Sequence, residues 1–289
     1  MQVVPPKKQE IWGWPAVAGF AVGGAAGGFY LLSLLLSIIV RGGAGLNEPV
    51  RFGLFAVLLI GGGFLLLGME SGRPERAPNL FRNFRRSWIS LETLAATVFV
   101  ASAAADLFLP HTLLKALAAV ACFGLILSQG FVAYRSRAVP AWNVSLTPLV
   151  FLSSSFYSGS GLLLFVAADT SPSTTVSLAL GLFWGMMDLA VWLLYLRGAH
   201  DEPFQEATRS LRRCASMTFT VGFGHLFPIS LLLLLLVKPQ FAISTRLLLL
   251  AGLAMVFGGA VHKIAVIRWA GYLRGISLTT RIPVADRHP

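Results

Sequence analysis

TFTVGFGHLFPISLLLLLLV, residues 218–237, runs for twenty residues without an Asp, Glu, Lys or Arg. At about 1.5 Å of rise per residue, a helix of this length matches the roughly 30 Å hydrocarbon core of a bilayer. Seven further stretches of similar character lie at residues 14–40, 52–69, 89–109, 112–133, 147–168, 174–196 and 246–270, separated by charge, Pro and Gly. The runs are long and continuously apolar, without the ten-residue alternation of barrel strands, so helices are expected. The first run is too long for a removable leader and lacks a small-residue cleavage site at a fitting place. The reading is an all-α polytopic membrane protein of eight transmembrane helices, a single integral domain over residues 1–289 with polar tails at 1–12 and 273–289.

Composition agrees. Of 289 residues, 56% are hydrophobic and 12% charged, about half the charged share of an ordinary soluble domain. The two cysteines, Cys122 within the fourth run and Cys214 in a polar loop, cannot form a cluster of iron–sulfur ligand spacing. No metal is expected in this chain. The net charge of +11 resides mostly in segments flanking the runs, which points to membrane orientation and away from nucleic acid. With eight spans both termini share one side, and that side carries seventeen Lys and Arg against five on the other. The positive-inside rule then predicts cytoplasmic termini in a bacterial or archaeal cytoplasmic membrane.

Polar residues gather towards that side. Glu70 closes the second helix, Glu92 opens the third, Tyr134 closes the fourth, and Trp142 with Asn143 follow it. His225 lies about two turns into the seventh helix, and His262 and Lys263 about two turns before the end of the eighth. Ionisable groups inside spans are costly, so a polar cavity near the cytoplasmic face is the economical reading. Each residue also has a plainer role open to it: Glu92 as a helix-dipole partner, Lys263 as a snorkelling side chain, and Trp12, Trp14, Trp88, Trp142 and Trp269 as an interfacial belt. Asp188 stands apart, roughly 14 Å from its helix end, and is read as a proton relay. The Gly-rich strings AVGGAAGG, IGGG and FGGA lie inside spans and suit close helix packing rather than phosphate binding. The loop HDEPFQEATRSLRRCAS, residues 200–216, reads as an amphipathic surface segment whose Arg209, Arg212 and Arg213 face solvent or lipid.

Three stretches in order, MESGRPERAPNLFRNFRRSWISLE (69–92), VPAWNVSLTPLVF (139–151) and GGAVHKIAVIRWAGYLRGISL (258–278), resemble membrane anchors of the dimethyl-sulfoxide-reductase type, within the polysulfide-reductase membrane-subunit superfamily. The third is similar to anchors found alongside phenylacetyl-CoA:acceptor oxidoreductases, and quinone-linked sulfite dehydrogenases are further relatives by this resemblance. It implies an anchor that holds no prosthetic group and exchanges electrons between an iron–sulfur subunit and the quinone pool, menaquinone or ubiquinone. That partner would in turn serve a molybdopterin catalytic subunit. On this reading Glu70 and Glu92 are the proton-exchanging residues, and Tyr134, Trp142, Asn143, His225, His262 and Lys263 line the quinone site. Arg73, Arg76, Arg82, Arg85 and Arg86 form the docking loop. Where family anchors often have His or Asp this chain has Glu70, so a proton-accepting role there carries over only as a carboxylate. Two other classes remain open on the residues alone: a secondary transporter, given Asp188 and Glu92, and a haem b subunit with His225 and His262 as axial ligands.

Overall fold

A computed structural model describes residues 2–41, 48–70, 74–167, 171–198, 201–238 and 245–277. Eight helices are long and apolar enough to cross a membrane, one for each run found in the sequence. They are α1 (Trp14–Arg41), α2 (Glu48–Met69), α3 (Trp88–Phe108), α4 (Thr112–Tyr134), α5 (Thr147–Ala167) and α6 (Ser171–Arg197). A short α7 (Glu202–Ala207) precedes the last two, α8 (Cys214–Val237) and α9 (Thr245–Ile264). A 3-10 helix over Pro74–Asn83 links α2 to α3.

The helices form two groups. α1 packs on α2, α2 on α3 and α3 on α4, while α5 packs on α6 and α9, and α8 lies against α6 and α9. The groups meet where α5 lies along α1 and α4. α5 is accordingly the most enclosed span, with 78% of its apolar window buried. Its sequence makes this possible, since Ser154 and Ser160 hydrogen-bond to carbonyls of their own helix and present little bulk to neighbours. At Gly28 of α1 an added Cβ would collide with the Ser155 backbone, so glycine permits this crossing. The expectation that the Gly strings serve packing holds there.

Two spans depart from regular α-helix. α8 begins at Cys214, four residues before the apolar run, and Thr218–Leu226 is π-helical. α9 turns π-helical over Ala265–Trp269. These insertions rotate the side chains that follow them, which a uniform 3.6-residue period cannot register. The first and last described segments lie together: Gln2–Val4 pairs antiparallel with Ile276–Ser277, Leu273 N donates to Lys7 O at 2.7 Å and Gln9 N to Gly271 O at 2.9 Å. At the opposite end of the bundle, Lys115 is buried in the first turn of α4 and pairs with Asp106 at 3.0 Å. The 200–216 loop also packs more than expected. Phe204 and Leu211 are fully buried, and Arg212 donates to Leu196 O at 2.6 Å.

Candidate functional site

The polar residues separate into three places rather than one cavity. At the first, Glu70 is half-buried at the end of α2, and its Oε1 accepts from Gly13 N at 2.5 Å while Oε2 accepts from Ala16 N at 2.8 Å. The start of a helix leaves its amide hydrogens unpaired and carries partial positive charge, so this carboxylate caps α1 across the helix pair. Both of its oxygens are committed there.

The second lies at the seam between the helix groups. Lys263 on α9 is 1% exposed, and its Nζ donates to Phe20 O of α1 and to Ser155 Oγ of α5, each at 2.9 Å. Ser155 passes its own proton to Phe151 O at 2.7 Å, so its oxygen is free to accept from the lysine. No carboxylate lies within ion-pairing distance of Nζ among the described residues. Gly24 sets the space: a Cβ there would meet Lys263 Nζ, Ser155 Oγ and Gln129 Oε1 together. Gln129, on α4, interacts with Glu92 of α3, which is 3% exposed; Glu92 Oε1 and Gln129 Oε1 both lack a hydrogen-bond partner among the described residues. Five helices therefore deliver a cation, a carboxyl group, an amide and a hydroxyl to one buried place. Gln129 and Ser155 escaped the sequence reading because a lone Gln or Ser inside a span carries no signal until its neighbours are known.

Just outside this cluster a groove of about 680 Å³ opens at the end of α3 and α4. Trp12, Trp88, Leu91 and Val132 give it apolar walls, and Arg85, Arg86 and Arg135 rim it. Trp88 is fixed by stacking on Phe131, with centroids 4.3 Å apart and planes 12° from parallel. Leu91 faces the groove and the next residue, Glu92, is buried in the bundle, so one helical turn joins the two environments.

The third place is the interior of the second group. Asp188 of α6, His225 of α8 and His262 of α9 are all fully buried, and Asp188 Oδ2 lies 3.1 Å from both His225 Nε2 and His262 Nδ1. Asp188, set apart in the sequence, is thus the centre of this cluster, while the two histidines lie here and not beside Glu92. The imidazoles stack 4.7 Å apart at 16°, inside a column that continues to Trp192 on one side and Tyr157 on the other. Axial haem ligands face each other across a porphyrin plane with the iron between them. Rings stacked on each other beside one carboxylate do not suit that role.

The remaining expectations scatter. Trp142 donates from Nε1 to Val266 O at 2.8 Å and stacks on Trp12 at 4.6 Å, joining the chain's beginning to α9. Asn143 is exposed. Tyr134 is half-buried against Phe131. Arg82, Arg85 and Arg86 are exposed; Arg76 lies on the 3-10 helix, and Arg73 lies outside the described residues.

A family model described as polysulphide reductase, NrfD matches residues 3–274, nearly the whole chain. The chain belongs to this family, whose members are membrane subunits of molybdopterin-type oxidoreductase complexes. Among curated proteins, none matches it.

Proposed function

We propose that this NrfD-family chain carries electrons between a docked iron–sulfur subunit and the quinone pool, binding the quinone head between the α3–α4 groove and the Lys263–Gln129–Glu92 cluster. A bound quinone supplies two-electron, two-proton chemistry. The chain's residues must bind the ring, polarise its oxygens and deliver or remove protons. The observation that carries the proposal is Lys263. A buried amino group held by a carbonyl and a hydroxyl, with no carboxylate within ion-pairing distance among the described residues, can turn its hydrogens to an oxygen that gains electron density. Gln129 orients the Glu92 carboxyl beside it, and Glu92 Oε1 has no hydrogen-bond partner among the described residues. Glu92 is thereby the proton-exchanging group. Glu70, with both oxygens held by backbone amides, serves the architecture of α1.

The groove supports the remaining requirements. Its tryptophan and aliphatic walls suit a ring and the first isoprenoid units, and its arginine rim lies on the end of the bundle where we place the docked partner. The seventeen-to-five asymmetry of basic residues puts that end in the cytoplasm. The partner's terminal cluster would sit over Arg82, Arg85 and Arg86, across the groove from Glu92.

The test compares two electron routes in the assembled complex. Glu92→Gln keeps the shape of the side chain and its amide partner but cannot exchange a proton. Quinone-coupled turnover is expected to fall on the order of a hundredfold, with activity towards a soluble dye, which bypasses the membrane subunit, largely retained. Full quinone turnover in the variant contradicts the assignment, and loss of both activities identifies a folding role instead.

A further inference from the structure

We propose that Asp188, His225 and His262 bind one divalent first-row transition-metal ion that ties α6, α8 and α9 together. The inference does not depend on the quinone site.

Donor chemistry comes first. His225 Nδ1 lies 2.8 Å from the Thr220 carbonyl, which can only accept, so Nδ1 carries the hydrogen and Nε2 is the ring atom turned to Asp188, where it can serve as a metal donor. Asp188 Oδ1 accepts from Ser153 Oγ at 2.6 Å, and this orients Oδ2 towards both histidines. Ligand atoms of all three residues lie within 4.8 Å of one another. These outer contacts, a carbonyl behind one imidazole and a hydroxyl behind the carboxylate, are those that fix tautomer and direction in metal sites.

His262 separates a metal from a shared proton. Its Nδ1 is 3.1 Å from Oδ2, yet neither ring nitrogen makes a directed hydrogen bond among the described residues. A proton between His225 and Asp188 would leave His262 with no more than its ion-pair contact to Oδ2, and each buried group short of a directed partner costs about 1–3 kcal/mol. One cation accepts all three lone pairs at once. Two ligands about 2.0–2.1 Å from a zinc-class ion stand roughly 3.1–3.4 Å apart without pointing at each other, which is the relation His262 shows to Asp188. Two imidazoles and one carboxylate are a donor set for zinc or iron(II), and the carboxylate offsets half of the ion's charge. The ring column from Trp192 to Tyr157 holds both imidazoles in place. His225 itself is supplied by a π-helical turn, a device often found where a helix positions a functional side chain.

The three ligands come from three helices with no motif spacing, so a joint site for them is visible only once α6, α8 and α9 are packed together.

The experiment uses the full chain, expressed without iron–sulfur partners, carrying a tag without histidines, and purified from cells supplied with zinc and iron. Elemental analysis is expected to find one zinc or iron per chain, and X-ray absorption to show a shell of imidazole nitrogen and carboxylate oxygen. Asp188→Asn and His262→Gln should lose it. Ser153→Ala, which leaves every ligand in place, should hold the ion about 10–100-fold more weakly. The wild-type melting temperature should fall with a chelator and recover with zinc, giving a check that does not depend on how the ligand variants fold. Wild-type chain free of metal after incubation with zinc and iron(II), or metal retained equally by both ligand variants, overturns the proposal.

Discussion

Lys263 is the residue on which the quinone reading turns, and its surroundings show how a membrane interior tolerates an ammonium group. It has one carbonyl and one hydroxyl as acceptors and the Phe151 ring 5.8 Å away, and the glycine at position 24 leaves room for it. Such partial compensation holds the amino group in the core without an ion pair among the described residues. Glu70 is the contrasting case. Its identity as an acidic residue at a helix end was plain in the sequence, but chain position could not reveal that both oxygens point at the first amides of α1. Glu70→Ala is therefore expected to destabilise the subunit by about 1–2 kcal/mol through the lost cap. Thermal unfolding of the purified complex measures this, and turnover per assembled complex should remain near wild type. Turnover lost without any drop in stability would return Glu70 to the proton path.

The eight spans were legible because twenty-residue apolar runs are a strong and additive signal, and each predicted run has its helix. What stayed hidden depends on how the helices rotate against one another. His225, His262 and Lys263 looked alike in depth, yet His262 turns to Asp188 while its neighbour Lys263 turns to α1 and α5. Adjacent residues on a helix point about 100° apart, and the π-helical turn in α8 adds a rotation that no hydrophobic period reports. The 3-10 segment Pro74–Asn83 and the turn after it form the element where docking is testable, since Arg82, Arg85 and Arg86 are exposed there. Replacing all three with Ala should release the soluble subunits at a lower salt concentration than wild type, because exposed charge pairs are screened beyond roughly 8 Å at physiological ionic strength. Co-purification through a salt titration reads this out. Identical release curves would leave the arginines as orientation signals alone.

The assembled bundle pairs Gln2–Val4 with Ile276–Ser277 and sets the quinone-site candidates near that end, at the seam of its two helix groups. Such a seam surrounds these residues with helices of both groups, and the α3–α4 groove opens beside them. Sidedness follows from charge rather than from shape, so an alkaline phosphatase fused after residue 289 is expected to be inactive. High phosphatase activity would move the docking face to the periplasm. The quinone site itself can be mapped by photolabelling. A photoreactive azidoquinone, activated in the assembled complex and located by peptide mass spectrometry, should attach to the groove-lining segments of α3 and α4 around Trp88, Leu91 and Val132, with excess natural quinone suppressing the label. Competable label confined to α6, α8 and α9, with α3 and α4 unmarked, would contradict a quinone site built on Glu92 and Lys263.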